Sequence, residues 1–354
     1  MVDTQRISIE RITKSRINEV DFDNIPFGRI CSDHMFVADF KNGEWMDQRI
    51  IPYGPIPLSP AIPGIHYGQS IFEGLKGYKD SSDQALVFRP MDNWKRMNKS
   101  ADRMCMPSIP KEVFMDGLQA LINLDRKWIP KDEGSSLYIR PFMFGTDEYV
   151  GIRPSDSYRF MIITCPVGAY YSTPVKVKIE QKYARAIEGG TGYAKAGGNY
   201  GGSLYPAKLA QDKGYHQVIW TDGKSHEFIE ESGTMNVMFV IDDTLVTPEL
   251  GDTILNGITR DSVLHLASKW GMKTEERKLT VDELVDGLKQ GKVKEAFGAG
   301  TAATIAHIEL IGYKGEDYFL PPISERKFAN RVYKELDAIK RGLAEDSFGW
   351  IQKF

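Results

Sequence analysis

Residues 158–177 read YRFMIITCPVGAYYSTPVKV, an apolar run that breaks at a Ser-Thr-Pro cluster before an alternating V-K-V pattern begins. An apolar run bounded by turn residues reads as a buried strand, and the Ser-Thr-Pro break reads as a junction between folding units. These features place a smaller N-terminal α+β domain over residues 1–167, an interdomain linker over 168–178, and a larger C-terminal domain over 179–354. A chain of 354 residues is long enough to bury two cores.

Outward from that junction, both sides mix strands with helices. HMFVADF (34–40) and SSLYIRPFMF (135–144) have strand character, whereas DNWKRMNKSADRM (92–104) and KEVFMDGLQALINLDRKW (111–128) carry helical spacing. On the C-terminal side HQVIWTD (216–222), TMNVMFVI (234–241) and VKEAFGAG (293–300) read as strands. SLYPAKLAQDKG (203–214), TRDSVLHLASKWG (259–271) and TVDELVDGLKQG (280–291) read as helices that end near glycine. ERKFANRVYKELDAIKRGL (325–343) is an amphipathic helix suited to closing a core. The fold class is α/β (α+β) in two domains.

Composition narrows the function. With 42% hydrophobic and 26% charged residues the chain belongs among ordinary globular proteins rather than disordered ones. A net charge of −3 provides no general attraction for nucleic acid. The apolar runs are strand-length, too short to cross a bilayer, and the N-terminal MVDTQRISIERITKSRI lacks an apolar signal core, so a cytoplasmic location and no membrane partner are expected. Cys31, Cys105 and Cys165 lie far apart in sequence and read as buried apolar residues. No metal site is expected, since the six histidines are dispersed. Neither GxGxxG nor GxxxxGK[ST] occurs in a nucleotide-binding context.

Against that background one segment stands out. GGTGYAKAGGNYGG (189–202) packs glycines around a single lysine, Lys195. Glycine lets a ligand approach the backbone closely, and a lysine held away from water can become a nucleophile suited to Schiff-base chemistry. A Gly-rich surface loop with an incidental lysine would look the same locally. HEFIEESGTMNVMFV (226–240) sets Glu230 and Glu231 just before an apolar strand, where a carboxylate can be fixed beside a ring nitrogen or can simply be a solvated acidic turn. LNGITRDSVL (255–264), with Ile258 and Thr259 entering a helix, and FGAGTAAT (297–304), with Thr301 after two glycines, are candidate phosphate cradles of the helix N-terminal kind. Ordinary capping would explain both equally well. Arg96 is either an anion ligand or a solvated helix charge.

In this order the pieces resemble the branched-chain amino acid aminotransferases, fold-type-IV, D-amino acid aminotransferase-like enzymes that depend on pyridoxal 5′-phosphate. The resemblance runs through IPFGRICSDHM, YGQSIFEGLKGY, FRPMDNWKRM, SLYIRPFMFG, CPVGAYY, KAGGNYGGSL, EESGTMNVMF, LNGITRDSVL and FGAGTAAT, most of the chain. It implies that Lys195 carries the cofactor covalently and is the catalytic residue. Tyr200 would hydrogen-bond the cofactor's phenolic oxygen, and Glu231, selected over Glu230 by the Glu-x-Gly-Thr spacing, would pair with its ring nitrogen. Arg96, Ile258, Thr259 and Thr301 would hold its phosphate.

For substrate, the resemblance implies Thr234 and Ala302 near the α-carboxylate, and Phe27, Tyr67, Phe72, Tyr138 and Arg140 around the side chain. Aromatic walls suit a branched aliphatic group, and one arginine can receive the distal carboxylate of glutamate or 2-oxoglutarate. The implied reaction is transamination of leucine, isoleucine and valine with 2-oxoglutarate. Ile152 falls where the family's loop reaches a partner subunit, implying a homodimer. Ala303 and Ala306 stand where mammalian relatives carry a CxxC pair, so that thiol switch is missing.

Overall fold

The computed structural model describes residues 7–22, 24–25, 27–168 and 173–354. The chain divides into two compact units: Met1–Tyr170 with Ala194–Gly198 and Ala338–Phe354, and Tyr171–Tyr193 with Asn199–Asp337. The expected boundaries need adjusting. Residues 169–172 of the expected linker lie outside the described residues, and its far end begins the strand Val175–Ile179, whose alternating V-K-V-K-I buries every second side chain. The C-terminal segment joins the first unit because Ile351–Lys353 pairs antiparallel with Ala85–Phe88. The Lys195 segment joins it through a bridge between Ile71 and Ala196.

The first unit is built on a nine-stranded sheet. Its centre pairs Ser136–Gly145 with Tyr158–Val167 over their whole length, placing Tyr138 opposite Cys165 and Arg140 opposite Ile163. On the other edge of Ser136–Gly145 the pairing is split. Leu75–Lys79 continues only to Leu75 opposite Ile139, and Ser70–Phe72 resumes with Phe72 opposite Phe142. Between them Glu73 stands opposite Pro141, which has no N–H to donate, and Gly74 opposite Arg140. The single bond across the gap is Glu73 N–H to the Pro141 carbonyl at 2.7 Å. The register is the same on both sides of the gap, so alternation keeps Glu73 on the buried face it shares with Ile71 and Leu75, while Gly74 leaves room for the Tyr138 hydroxyl, which would lie 2.5 Å from a Cβ there.

The helices Pro90–Arg103 and Lys111–Leu124 pack on the sheet through apolar residues at helical spacing, including Val113, Phe114, Leu118, Leu121 and Ile122. Phe36, Phe114 and Phe160 form the aromatic centre of this core, each with no exposed surface.

The second unit has a sheet that closes on itself. Ile229–Ser232 pairs with both Gln217–Thr221 and Met235–Ile241, and the remaining order returns through Val175–Ile179, Thr304–Tyr313 and Val293–Gly300. The closing hairpin reverses over Gly233 and Thr234, with Gly233 at φ 57°, a conformation glycine adopts without strain. FGAGTAAT is not a helix start. Its glycines end the strand Val293–Gly300, and Thr301–Ala303 connect it to the antiparallel strand beginning at Thr304, since Gly300 pairs with Thr304.

The first core offers a sharp packing test. A Cβ at Gly117, in the middle of Lys111–Leu124, would lie 2.6–2.8 Å from three ring atoms of Phe36, and that ring is enclosed. Gly117→Val should therefore lower stability by about 1–3 kcal/mol through overpacking, despite the poor helix propensity of glycine. A urea unfolding midpoint equal to or above wild type would contradict this picture of the interface.

Candidate active site

Lys195 sits in the first unit, held by backbone contacts on both sides. Its N–H donates to the Ser100 hydroxyl at 2.9 Å, and its carbonyl accepts from Phe72 N–H at 3.1 Å. The Ile71–Ala196 bridge adds a third restraint. The close approach requires glycine at 197, where a Cβ would come within 2.6 Å of the Ser70 hydroxyl. The Lys195 ammonium lies 4.7 Å from the centroid of the Phe72 ring. The Arg140 guanidinium lies 4.6 Å from the same ring and 5.2 Å from that of Tyr138. Arg140 also donates to the Tyr138 hydroxyl at 2.8 Å, and Phe27 packs edge-on against Tyr138 at 5.2 Å. The structure thus gathers Phe27, Phe72, Tyr138, Arg140 and Lys195. Tyr67, 41% exposed, stands at the end of the short helix Pro63–His66 and stacks obliquely on His66 instead.

Arg96 is not a solvated helix charge. Its Nε donates to Glu73 Oε1 at 2.7 Å and a terminal nitrogen donates to Oε2 at 2.8 Å, a bidentate pair. Glu73 has no exposed side-chain surface and Arg96 only 10%. Asn93 completes the shell with a 2.7 Å bond to Glu73 Oε2. Burial by itself would raise the Glu73 pKa, but the Arg96 charge and its hydrogen bonds, followed by the Lys195 charge, hold the carboxyl below its usual range. Glu73 carried no assigned role in the sequence. Its only signal was an acid inside the apolar run SIFEGL, which calls for a buried partner.

In the second unit Glu231 is 3% exposed. One carboxylate oxygen accepts from Leu255 N–H at 2.9 Å and from the Asn236 amide at 3.4 Å, and the other lies 2.9 Å from Arg185 Nε. Its neighbour Glu230 differs. It is also buried, one of its oxygens has no hydrogen-bond partner among the described residues, and burial raises its pKa. Asn236 ties Glu231 to the helix Ile258–Lys269: its amide donates to the Leu255 carbonyl at 2.9 Å, and a Cβ at Gly257 would fall 1.8 Å from its side-chain oxygen. No side chain caps that helix start, so Ile258 and Thr259 open a first turn whose N–H groups suit an anion.

Thr234 lies in the turn beside Glu231, and Thr301 and Ala302 follow a strand whose Ala299 pairs with Asn236. Tyr200 occupies the first turn of the helix Gly197–Gln211, whose N-terminal end is fastened by reciprocal Thr191–Asn199 bonds of 2.6 and 2.8 Å. Arg185 reaches Glu231 across 46 positions, whereas Asn236 stands only five residues on, opposite Glu231 across the hairpin, a pairing that only the turn at Gly233 reveals.

These two constellations belong to a known class of protein. Residues 70–311 match the family model for amino-transferase class IV, and the chain belongs to that family. Within it, the chain falls among the branched-chain-amino-acid aminotransferases. It is 43% identical over 350 residues to branched-chain-amino-acid aminotransferase 2 of Bacillus subtilis strain 168, covering 98% of this chain and 96% of that protein. It is 41% identical over 352 residues to a probable branched-chain-amino-acid aminotransferase of Staphylococcus aureus strain MRSA252, covering 98% of each. The fold is similar to a crystal structure of the Escherichia coli branched-chain amino acid aminotransferase, with a TM-score of 0.72, 26% identity, and 90% and 98% of the two chains covered. It is also similar to that of a branched-chain aminotransferase from Thermoproteus uzoniensis with norvaline, with a TM-score of 0.74, 24% identity, and 90% and 99% covered.

The Glu73–Arg96 pair makes a testable statement about stability. Glu73→Gln leaves the guanidinium buried against a neutral amide and should cost about 3–5 kcal/mol. Because the folded carboxyl titrates below its unfolded value, its contribution is complete above about pH 4.3 and is lost as pH falls through the folded value. The variant should accordingly lose less stability than wild type on acidification. Parallel acid-unfolding curves for the two proteins would refute the assignment.

Proposed function

We propose that this protein reversibly transfers the amino group of L-leucine, L-isoleucine and L-valine to 2-oxoglutarate, with pyridoxal 5′-phosphate as cofactor and Lys195 as its covalent anchor. The reading is carried by the placement of Lys195, clamped through its backbone with its ammonium over the Phe72 ring, in a chain from this family. The donor set fits the cofactor: an amine at Lys195, a buried carboxylate at Glu231, and a helix start at Ile258 and Thr259 without a side-chain cap.

When bound, pyridoxal phosphate supplies an electrophilic carbon for the amino group and a ring that delocalises the electron pair left on the substrate Cα. Lys195 removes and returns the proton at that carbon. Glu231, oriented by Arg185, Leu255 and Asn236, keeps a proton on the ring nitrogen, and Tyr200 donates to the phenolic oxygen. Arg96, Ile258, Thr259 and Thr301 bind the phosphate, while Thr234 and Ala302 receive the substrate carboxylate. Phe27, Phe72 and Tyr138 surround the aliphatic side chain and exclude water. Arg140 serves the dicarboxylate. Its Nε is buried with no hydrogen-bond partner among the described residues, an unmet donor that a distal carboxylate satisfies.

A homodimer completes the reading. Tyr149, Val150 and Ile152 expose 50%, 63% and 91% of their surfaces on one loop, an apolar tip that a second copy would cover. Among the described residues no helix is long and apolar enough to cross a membrane, and three free thiols suit a reducing cytoplasm.

Lys195→Ala should lose covalent attachment and nearly all transamination, because anchor and proton carrier are the same amine. Borohydride reduction and peptide mapping of wild type should place the pyridoxyl group on Lys195, and an adduct on another lysine would overturn the assignment. Arg140→Met should slow the glutamate half-reaction roughly ten- to a hundredfold, the loss of a charge-assisted contact of about 1.5–3 kcal/mol, and leave leucine far less affected. Equal losses in separate half-reactions followed by cofactor absorbance would show that Arg140 only supports the pocket wall.

A further inference from the structure

Cys31 and Cys165 are 134 positions apart, yet their sulfurs lie 3.0 Å from each other in the first unit. The expected burial holds for these two and fails for Cys105, which is exposed, and sequence distance hid that Cys31 and Cys165 meet. The neighbouring residues hold them together: Ser32 N–H donates to the Thr164 carbonyl at 2.8 Å, and the two hydroxyls bond at 2.6 Å. A contact of 3.0 Å is nearer than unbonded sulfurs settle for packing alone, and about 1 Å from a covalent bond of about 2.05 Å.

The two thiols are unequal. Cys31 is brought down to about 6 chiefly by the hydrogen bond from Cys165, with Tyr53 and the Arg16 charge acting against burial. The same bond, with burial, raises Cys165. The contact thus favours a thiolate on Cys31 accepting from the Cys165 thiol, the pairing that oxidation to a disulfide needs. Both are more than nine-tenths buried. They share one packed cluster with Tyr138 and Phe27, and Cys165 stands directly opposite Tyr138 across the strand pair.

We propose that Cys31 and Cys165 form a reactive dithiol that a hydroperoxide closes to a disulfide behind the Tyr138 wall. The Cys31 thiolate attacks a peroxide oxygen, forming S–O as O–O breaks, and the departing oxygen takes a proton from solvent to leave as water or alcohol. The Cys165 sulfur then attacks Cys31, forming S–S as S–O breaks, and its thiol proton leaves with the hydroxide as water. Two sulfurs are oxidised by one electron each and two peroxide oxygens are reduced to match. The dithiol chemistry stands apart from the pocket assignment, and only its effect on substrate rests on the proposed function.

The test uses full-length holoenzyme carrying Cys105→Ser, which removes the exposed third thiol. After brief treatment with hydrogen peroxide, both thiols should disappear together, and peptide mapping should recover a 31–165 cross-link that dithiothreitol reverses. Cys165→Ser, which keeps a donor beside Cys31, should instead leave a sulfenic acid on Cys31 that dimedone traps, and, should that variant misfold, Cys31→Ser should leave Cys165 a free thiol after the same treatment. In the cross-linked enzyme the leucine KM should rise severalfold and recover on reduction. Two free thiols after peroxide, or sulfinic acid on Cys31 without a cross-link, would overturn the proposal. A cross-link with an unchanged leucine KM would uphold the dithiol and count against Tyr138 as a wall of the substrate pocket.

Discussion

The adjacent residues Phe72 and Glu73 organise three cations, and the candidate site of the first unit depends on that arrangement. The Phe72 ring has the Lys195 ammonium at 4.7 Å and the Arg140 guanidinium at 4.6 Å from its centroid, while Glu73 binds Arg96 bidentately. Like charges gathered in a poorly solvated region repel one another, and each aromatic contact offsets only about 0.5–2 kcal/mol. The fully buried carboxylate supplies the stronger opposing term, and its lowered pKa reports the Arg96 and Lys195 charges acting on it. One carboxylate against three cations still leaves a positive excess, which favours anionic ligands such as a phosphate or a dicarboxylate.

The backbone explains how such a costly group reaches the interior. The segment opposite Ser136–Gly145 keeps one register throughout, so its side chains alternate regularly and Glu73 falls on the same buried face as Ile71 and Leu75. Pro141, which has no N–H, only thins the hydrogen bonding there, leaving Glu73 N–H to bond the Pro141 carbonyl. In the second unit the corresponding device is a hairpin. Gly233 reverses the chain in two residues, so Glu231 stands opposite Asn236 on the strand that closes the sheet, and Asn236 in turn reaches the start of the Ile258–Lys269 helix. In the first unit strand alternation carries the carboxylate inward, and in the second a tight reversal does.

That pattern explains what could be read from the chain alone. Lys195 stood out as a candidate because its glycine-dense surroundings are unusual locally, and the Ser-Thr-Pro break marked a junction near where the two compact units part, though not the return of Ala194–Gly198 and Ala338–Phe354 to the first unit. The partners of the carboxylates were not legible: Arg185 meets Glu231 across 46 positions and Arg96 meets Glu73 across 23, and periodicity carries no information on such pairings. FGAGTAAT misled because glycine and threonine serve helix starts and hairpin turns equally well. The cysteines misled for a related reason, since spacing rules detect only motifs whose ligands are near in sequence.

The two units also differ in how they are suited to meet an anion. The first offers side-chain cations whose charge is already partly engaged, Arg96 by Glu73 and Arg140 by the Tyr138 hydroxyl. The second offers backbone N–H groups at a helix start with no side-chain cap. Backbone donors are fixed by the fold and need little ordering on binding, whereas long side chains bind well only if something already holds their rotamers. Glu73 and Tyr138 do that holding. On this view the ion pair at Glu73 does not simply cancel a charge that a phosphate could use. It removes the conformational freedom of Arg96 in advance, so the guanidinium is presented in one orientation while the positive excess of the surrounding cations remains.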